Sequence, residues 1–186
     1  MYITAGPERL KLSDMTEGDV SGIISMTKEN MAHVIKATWG LEWSANFEKK
    51  YLDMLVSTGA VKSIYDDNKL AGYLWFEERK GKNDIFINSM QLKKEYQGRG
   101  IGTQILKWLE VFALDRKRQY LSLSVQVNNQ RAVTFYQGFG FGEVYRGQGS
   151  IYMSKKINRD ATYTSVSTVE FAPITLCTTV NSFSTV

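Results

Sequence analysis

The sequence predicts a mixed α/β domain of the α+β class, in which about four helices flank a mostly antiparallel sheet of six to seven strands. Two observations carry this prediction. Apolar residues recur at helical spacing in four segments. In other, shorter segments bounded by turn residues, apolar residues either alternate with polar ones or form a continuous run. Three of the strand-like segments follow one another with only short polar turns between them, which favours antiparallel neighbours.

The chain opens with a short strand and two helices. Residues 9–13 are the predicted strand, and Thr16-x-x-Asp19 resembles a capping box, with Asp in place of Glu, that starts the first helix. The apolar face of that helix comprises Val20, Ile23, Ile24, Thr27 and Met31. Ser44 is a suitable N-cap for the second helix, and Gly59 is a suitable residue to end it.

Three consecutive strands are predicted next, at residues 61–65, 70–78 and 84–92. A glycine-rich segment, residues 97–102, then precedes a helix with one strongly apolar face. The last elements are an apolar strand at residues 121–127, a short helix at 130–137, and a hairpin formed by residues 141–145 and 150–157.

Residues 1–157 therefore form one predicted domain, and residues 158–186 form an extension of different composition. Eleven of the 29 residues of the extension are Ser or Thr. Parts of it favour β-structure, so an extra hairpin, a dimer arm and an appended tail all remain open.

Composition narrows the class of protein. The chain has 186 residues, 43% of them hydrophobic, and a net charge of +4, with basic residues interleaved among acidic ones. Nucleic-acid binders usually cluster their Lys and Arg, so we expect no nucleic-acid partner. Cys177 is the single cysteine, which fits a reducing compartment. The N-terminus does not read as a signal peptide, and no apolar stretch approaches the ~18 residues of a membrane span. We expect a cytoplasmic protein without a membrane segment.

The glycine-rich segment Gln97-Gly98-Arg99-Gly100-Ile101-Gly102 lies between a strand and a helix. Glycine allows close backbone approach, and a helix N-terminus offers unpaired N–H groups and the positive end of the helix dipole, so this arrangement suits a phosphate. The alternative is a tight turn that needs glycine for geometry alone. A P-loop pattern is absent, and a dinucleotide-binding fold would need a parallel strand–helix–strand unit here.

A second motif follows the apolar strand, Asn129-x-x-Ala132-x-x-x-Tyr136-x-x-x-Gly140-Phe141. Ala132 and Tyr136 share a helical face. Taken together, the two motifs and the strand order resemble the GNAT acetyltransferase family, whose Arg/Gln-x-x-Gly-x-Gly/Ala pattern is matched by Gln97, Gly100 and Gly102. The resemblance covers residues 9–157, is strongest over 87–141, and looks like the ribosomal-protein-alanine acetyltransferase branch, among others.

The resemblance implies the GNAT fold, with central strands that splay apart and acetyl-CoA in the gap between them. It implies that Tyr136 protonates the departing CoA thiolate as general acid and that the N–H of Met90 stabilises the oxyanion. The cofactor-binding residues that it implies are Met90, Gln91, Leu92, Gln97, Gly98, Arg99, Gly100, Ile101, Gly102, Thr103 and Asn129. No metal site is expected.

The general base is not evident from the sequence. Relatives carry Glu where this chain has Ser124 or Phe86, which leaves a water chain to Glu77, Glu78 or Asp84, or the single histidine, His33. For each of these a plain surface role is the commoner outcome.

The loop between the first two helices commonly lines the acceptor site of this fold. Trp39 and Glu42 are candidates to hold an ammonium ion, together with Trp43, by charge and cation–π contact; the alternative is that both tryptophans cover the core. The predicted activity is acetyl transfer from acetyl-CoA to a primary amine, of a small molecule or a protein, by direct attack in a ternary complex. The alternative is a non-catalytic acyl-CoA-binding module. We expect a monomer or homodimer.

Overall fold

A computed structural model describes residues 2–5 and 8–158, which form a single sheet with helices on both faces. The strands are β1 (Tyr2–Ala5), β2 (Glu8–Asp14), β3 (Ala60–Asp66), β4 (Lys69–Glu78), β5 (Asp84–Leu92), β6 (Tyr120–Gln126), β7 (Gly142–Gly147) and β8 (Ser150–Lys156). The helices are α1 (Val20–Trp39), α2 (Ala45–Ser57), α3 (Ile101–Asp115) and α4 (Gln130–Gly138). Apart from Asn158, the extension lies outside the described residues.

The sheet has the strand order β1-β2-β3-β4-β5-β6-β8-β7. All neighbours are antiparallel except β5 and β6, which are parallel because α3 carries the chain back across the sheet. The mixed, mostly antiparallel sheet with four helices is therefore confirmed. The described residues contain eight strands rather than six or seven, because Tyr2–Ala5 pairs with β2 at one edge, with Ile3 buried opposite Leu10. Four residues are too few to show a period in the sequence.

Two cores lie on opposite faces of the sheet. Along β4, Leu74 and Phe76 belong to the larger core, which also contains Trp108 of α3. Tyr73 and Trp75 alternate with them and belong to the smaller core, together with Ile23 of α1 and Leu55 of α2. Alternation along one fully buried strand thus places α3 on one face and the α1–α2 pair on the other.

Local hydrogen bonds fix where α1 begins. The Thr16 N–H donates to Asp19 Oδ2 at 2.8 Å, as the capping box predicts. Asp19 is also bonded to Ser63 and Tyr65 of β3, so the same carboxylate ties the start of α1 to the sheet. Burial raises the pKa of Asp19 and these hydrogen bonds lower it; the hydrogen bonds prevail, so the pKa lies below its usual value.

The second helix begins and ends as the sequence predicts. Ser44 accepts a hydrogen bond from the Phe47 N–H at 3.2 Å, which satisfies one of the orphan donors at the start of α2. Gly59 follows the end of α2 with a φ of 69°, a left-handed conformation that favours glycine.

The central strands splay apart. The parallel pairing of β5 with β6 runs only from Asp84 opposite Tyr120 to Ile87 opposite Leu123. At that point β5 also carries an extra residue relative to β4, since Ile87 pairs with Phe76 and Ser89 pairs with Trp75. The bulged residue is Asn88, and beyond it β5 and β6 diverge. This divergence opens the cavity described next.

Candidate active site

A cavity of about 960 Å³ occupies the gap between β5 and β6. Its walls come from α1, the ends of β5 and β6, the glycine-rich segment before α3, and α4. The cavity is large enough for an extended ligand. The glycine-rich segment and aromatic residues of α1 and α2 both line it.

One edge of β5 is free to pair with a ligand. Met90, Gln91 and Leu92 lie opposite Leu74, Tyr73 and Gly72 of β4 and line the cavity. Lys93 N–H donates to Ala71 of β4, whereas the Leu92 carbonyl accepts from Asn30 Nδ2 at 3.0 Å and from Gln97 Nε2 at 2.8 Å, on the side away from β4. Successive residues of a strand direct their N–H and C=O groups to opposite edges. The N–H of Met90, two residues before Leu92, therefore points to the same side as the Leu92 carbonyl, into the gap.

The glycine-rich segment forms an anion-binding turn. Gly98 and Gly100 have φ values of 78° and 80°, and Gly100 is the N-cap of α3. The first N–H groups of α3 have no partner within the helix and face the positive end of its dipole. Gly102, in the first turn, packs closely on α4, since a Cβ there would lie 3.1 Å from the ring of Phe135, a tight contact.

Most of the predicted cofactor-binding residues meet in this cavity. Those that line it are Met90, Gln91, Leu92, Gln97, Gly98, Gly100, Ile101, Gly102, Thr103 and Asn129. Arg99 does not line it, and its guanidinium lies over the ring of Tyr96, 5.5 Å from the centroid. Asn129 is the N-cap of α4 and accepts from the Ala132 N–H at 3.2 Å.

Two further cavity residues were missed in the sequence. Arg131, in the first turn of α4, donates to Gln97 Oε1 at 2.6 Å and so places a cation beside the glycine-rich segment. Asn30 of α1 bonds to Leu92 and Gln91 across the mouth of the cavity. Arg131 stands at an unspecified position of the Asn129-x-x-Ala132 motif, and Asn30 reaches the site from α1, far away in the sequence, so neither was marked by a motif.

Tyr136 lies on the cavity wall from α4. Its side chain is only 8% exposed, against the rings of Phe135 and Phe141. Burial raises the pKa of its phenol well above the ordinary value. A phenol in this environment keeps its proton at neutral pH and can donate it.

The aromatic end of the cavity includes one of the two predicted acceptor residues. Trp39, at the end of α1, lines the cavity with Phe47 and Tyr51 of α2, and its indole N–H donates to the Gln148 carbonyl in the β7–β8 turn at 2.8 Å. Glu42 is not brought there. It lies at the surface in an ion pair with Lys36, at 2.6 Å, so the geometry gives no support to an acceptor role for it.

Trp43 also departs from the predicted arrangement. Its ring packs on Phe47 with centroids 5.0 Å apart, and its N–H donates to Glu48. Trp39 and Trp43 therefore do not flank a common carboxylate, because Gly40 reverses the chain with a φ of 67° directly after Trp39.

The candidate bases are mostly far from the cavity. Glu78 is paired with Arg116 and Arg118, both at 3.1 Å, and Asp84 with Arg79, at the end of β5 where β5 and β6 are still paired. Glu77 does not line the cavity, whereas His33, exposed on α1, does. Glu29 is the one carboxylate among the lining residues of the described chain, and it is paired with Lys94 at 2.8 Å.

A cluster of hydroxyl groups lies between the sheet and α1. The Tyr73 oxygen is 2.8 Å from Thr27 Oγ1, 2.7 Å from the Tyr51 oxygen and 2.9 Å from Ser89 Oγ. Thr27, Tyr51 and Ser89 also line the cavity. Asn88 lines the cavity as well, and its buried side-chain nitrogen has no hydrogen-bond partner among the described residues. Polar residues within otherwise apolar segments were the only sequence signal for this cluster.

Neither a metal site nor a membrane span is found in residues 2–5 and 8–158. No group of three or more potential metal ligands occurs there. None of the helices in that part of the chain has the length and hydropathy needed to cross a bilayer.

Comparison with known proteins adds to this geometry. Residues 28–141 match the model of the family described as the acetyltransferase (GNAT) family. The chain is 34% identical over 77 residues to a thialysine N-epsilon-acetyltransferase from Bos taurus. That match covers 41% of this chain and 45% of the relative, so it spans less than half of the relative's length.

Solved structures share the fold at low identity. A PaiA N-acetyltransferase from Thermoplasma acidophilum in complex with coenzyme A aligns with a TM-score of 0.62 and 18% identity, covering 79% of this chain and 98% of the other. A ribosomal-protein-S18-alanine N-acetyltransferase from Escherichia coli aligns with a TM-score of 0.57 and 18% identity, covering 80% of this chain and 94% of the other.

Proposed function

Because this chain belongs to the acetyltransferase (GNAT) family, we propose that it moves the acetyl group of acetyl-CoA to a primary amine by direct attack in a ternary complex. Family membership makes it an acyl-CoA-dependent acetyltransferase domain with acetyl-CoA as co-substrate. The observation that carries the rest is the unpaired edge of β5, which lines the same cavity as the glycine-rich N-terminus of α3 and the buried Tyr136.

The residues at this edge fit an acyl-CoA. The N-terminus of α3 and Arg131 supply positive potential for the pyrophosphate. The backbone of Met90 and Leu92 pairs with the amide groups of the pantetheine arm as an added strand would. The Leu92 carbonyl is already taken by Asn30 and Gln97, so the free groups for this pairing are the N–H of Leu92 and the carbonyl of Met90. The N–H of Met90 is left for the thioester carbonyl.

The chemical step uses two groups of this chain. The amine nitrogen attacks the thioester carbon, a C–N bond forms, and the Met90 N–H stabilises the charge on the carbonyl oxygen. As the C–S bond breaks, Tyr136 donates its proton to the CoA sulfur. No unpaired carboxylate lines the described cavity, so the proton lost from the amine passes to water or to His33, the exposed histidine that lines the cavity. Water then returns a proton to Tyr136. Cys177 takes no part in this direct transfer.

The acceptor is proposed to be a cationic alkylamine. The wall formed by Trp39, Phe47 and Tyr51 offers aromatic faces, which attract an ammonium ion. A lysine-like side chain is the first candidate, since a relative is a thialysine N-epsilon-acetyltransferase. An N-terminal alanine is the second, since a structural neighbour is a ribosomal-protein-S18-alanine N-acetyltransferase.

The experiment is a screen of primary amines with acetyl-CoA, in which released CoA is measured as free thiol. L-lysine, thialysine, 1,5-diaminopentane and an alanine-initiated peptide are the first probes. With an active amine, initial rates at varied concentrations of both substrates should give intersecting double-reciprocal lines. Parallel lines would contradict direct transfer, and acetyl-CoA binding without amine-dependent thiol release would favour a non-catalytic acyl-CoA-binding module.

The remaining expectations about the protein stay predictions. They are a cytoplasmic location, the absence of a nucleic-acid partner, and a monomeric or homodimeric state. The same holds for the boundary between a domain of residues 1–157 and an extension of residues 158–186.

A further inference from the structure

The hydroxyl cluster beside the cavity has a fixed hydrogen-bond direction. Thr27 Oγ1 lies 2.7 Å from the carbonyl oxygen of Ile23. A carbonyl only accepts, so the single Thr27 proton is donated to it. The Tyr73 oxygen lies 2.8 Å from Thr27 Oγ1, and since Thr27 has no second proton, Tyr73 is the donor of that bond.

The same count of protons also sets the direction of the hydrogen bonds made by the hydroxyls of Tyr51 and Ser89, the two residues that line the cavity. Tyr73 donates its only hydroxyl proton to Thr27, yet its oxygen also lies 2.7 Å from the Tyr51 oxygen and 2.9 Å from Ser89 Oγ. Tyr51 and Ser89 must therefore donate to Tyr73. Burial raises the pKa of Tyr73 well above the ordinary value, so its proton and this direction are retained at working pH.

Two acceptors consequently face the cavity. With their protons directed at Tyr73, Ser89 Oγ and the Tyr51 oxygen have only lone pairs to offer a ligand. One Ser89 lone pair is approached by Gln91 Nε2 at 3.4 Å, a long contact. Because both oxygens bond to the same Tyr73 oxygen, they lie close enough together for one nitrogen to contact both.

We propose that Ser89 and Tyr51 bind the N–H groups of the acceptor amine, and that Tyr73 is the positioning residue that keeps their lone pairs directed at the cavity. This assignment rests on the proposed function and names the acceptor subsite within it. An ammonium ion is a donor only, as is a lysine amine at pH 7, so it complements the pair. A carboxylate is an acceptor only, so the pair selects against an acid group at this position.

The subsite also suits the reaction. Its partners for the ammonium are neutral hydroxyls and aromatic faces, because the one carboxylate among the described lining residues, Glu29, is paired with Lys94. Burial without a facing carboxylate disfavours the charged form of the amine. The bound amine therefore loses its proton more readily than it would beside a carboxylate.

The test uses the whole chain with three variants, Ser89→Ala, Tyr51→Phe and Tyr73→Phe, and Ser122→Ala as matched control. Ser122 is a buried serine of β6 that bonds Ser154 at 3.3 Å and does not line the cavity. Binding of L-lysine, thialysine, 1,5-diaminopentane and the alanine-initiated peptide is measured by calorimetry on the complex with CoA, which cannot react. For amines that turn over, KM and kcat are measured as well.

Each of the three variants should weaken amine binding about 10- to 100-fold, the usual effect of a lost hydrogen bond to a charged group, and raise the amine KM alike. CoA affinity and the acetyl-CoA KM should be unchanged. Tyr73→Phe should have this effect without touching the ligand, because Ser89 and Tyr51 are then free to turn their protons into the cavity. The wild type should bind pentylamine more tightly than pentyltrimethylammonium, which has no N–H group, and this preference should shrink in Ser89→Ala, where Tyr51 remains as acceptor.

Normal amine binding in Ser89→Ala and Tyr73→Phe would overturn the assignment, and so would an equal loss in Ser122→Ala. The proposed function is tested separately. If the wild-type CoA complex binds an amine that the protein does not acetylate when acetyl-CoA replaces CoA, the transfer is wrong, while the binding series still decides the subsite. If it binds none of the four amines, both proposals fail.

Discussion

At the scale of single residues, the chemistry depends on two hydroxyl environments that differ in solvation. Tyr136 lies among phenylalanine rings, and burial alone raises the pKa of its phenol. Tyr73 is also buried, but its oxygen makes hydrogen bonds with three other hydroxyls. The first arrangement leaves a proton available to a ligand, whereas the second commits its proton to the protein. The two tyrosines therefore have different roles, although their sequence contexts are both apolar.

Removing the Tyr136 hydroxyl should slow the chemical step. Tyr136→Phe keeps the ring packing and takes away the proton donor, so we expect kcat to fall about 10²- to 10⁴-fold, with little change in acetyl-CoA affinity. Steady-state kinetics and calorimetric titration with acetyl-CoA measure the two effects. Tyr145→Phe, at an exposed tyrosine of β7, is the control and should be silent. Full turnover by Tyr136→Phe at neutral pH would contradict the assignment.

The two predicted acceptor residues should now behave differently. Trp39 lines the cavity, so Trp39→Ala should raise the KM of a cationic amine about 2- to 30-fold through loss of the cation–π contact. Glu42 is paired with Lys36 at the surface, and Glu42→Gln should leave both KM values unchanged. Melting curves must accompany the kinetics, because Trp39 also anchors the β7–β8 turn. A raised amine KM in Glu42→Gln with an unaffected Trp39→Ala would reverse this account.

At the scale of elements, the start of α3 is the proposed site of phosphate binding, and a matched pair of glycines tests it. Gly100 and Gly81 have φ values of 80° and 73°, and both face open space. Gly100→Glu and Gly81→Glu therefore add the same charge and similar backbone strain. Only Gly100 lies at the cavity; Gly81 is in the β4–β5 turn.

Acetyl-CoA should raise the melting temperature of the wild type and of Gly81→Glu, because it binds only the native state; at 100 times Kd the stabilisation is about 2.7 kcal/mol. In Gly100→Glu that rise should vanish, since a carboxylate then faces the pyrophosphate. Differential scanning calorimetry with and without acetyl-CoA measures it. If acetyl-CoA raised the melting temperature of Gly100→Glu as much as that of the wild type, the phosphates would not bind at this helix end.

Elements with a local cause were predictable from the sequence. The capping residues Thr16, Asp19 and Ser44, the glycine after α2 and the turn before α3 each act through neighbours in the chain. Strand β1 was not predictable, because its four residues are held by pairing with β2, by burial of Ile3 and by contacts with α3. The extra residue at Asn88 was not predictable either, since a bulge is defined by pairing with another strand.

At the scale of the whole molecule, the sheet separates two cores, and each contains a buried tyrosine. Tyr73 belongs to the core under α1 and α2, and Tyr136 to the core shared with α3. Burial raises the pKa of both phenols above the ordinary value of 10.0. Above that pH the unfolded chain loses these protons while the folded chain keeps them, so stability that is complete below about pH 10 declines as the pH rises.

The decline can be measured by urea unfolding between about pH 9 and pH 11. Each tyrosine should contribute a slope of up to about 1.4 kcal/mol per pH unit above pH 10. A Tyr73→Phe, Tyr136→Phe double variant should lose stability with pH less steeply than the wild type, and the difference isolates the tyrosines from lysine titration. Parallel curves for the two proteins would show that neither phenol stays protonated.

Only the part of the candidate site that is formed by sequence motifs was predictable. The backbone of β5, the glycine-rich segment, Asn129 and Tyr136 could be assigned by resemblance, and the structure brings them to one cavity. The acceptor side has no motif. Thr27, Tyr51, Tyr73 and Ser89 come from four different elements, and their meeting depends on how α1 and α2 pack on the sheet. The surface position of Glu42, paired with Lys36, likewise depends on how the loop after α1 is folded.

The central claim is transfer of an acetyl group from acetyl-CoA to an amine, and the most direct measurement is the mass balance of that transfer. The whole chain is incubated with acetyl-CoA carrying a deuterated acetyl group and with the amine selected by the screen, and both products are quantified by mass spectrometry. The account predicts deuteroacetylated amine and free CoA in equal amounts, both dependent on the protein. Release of CoA without acetylated amine, or binding of acetyl-CoA with neither product, would contradict it.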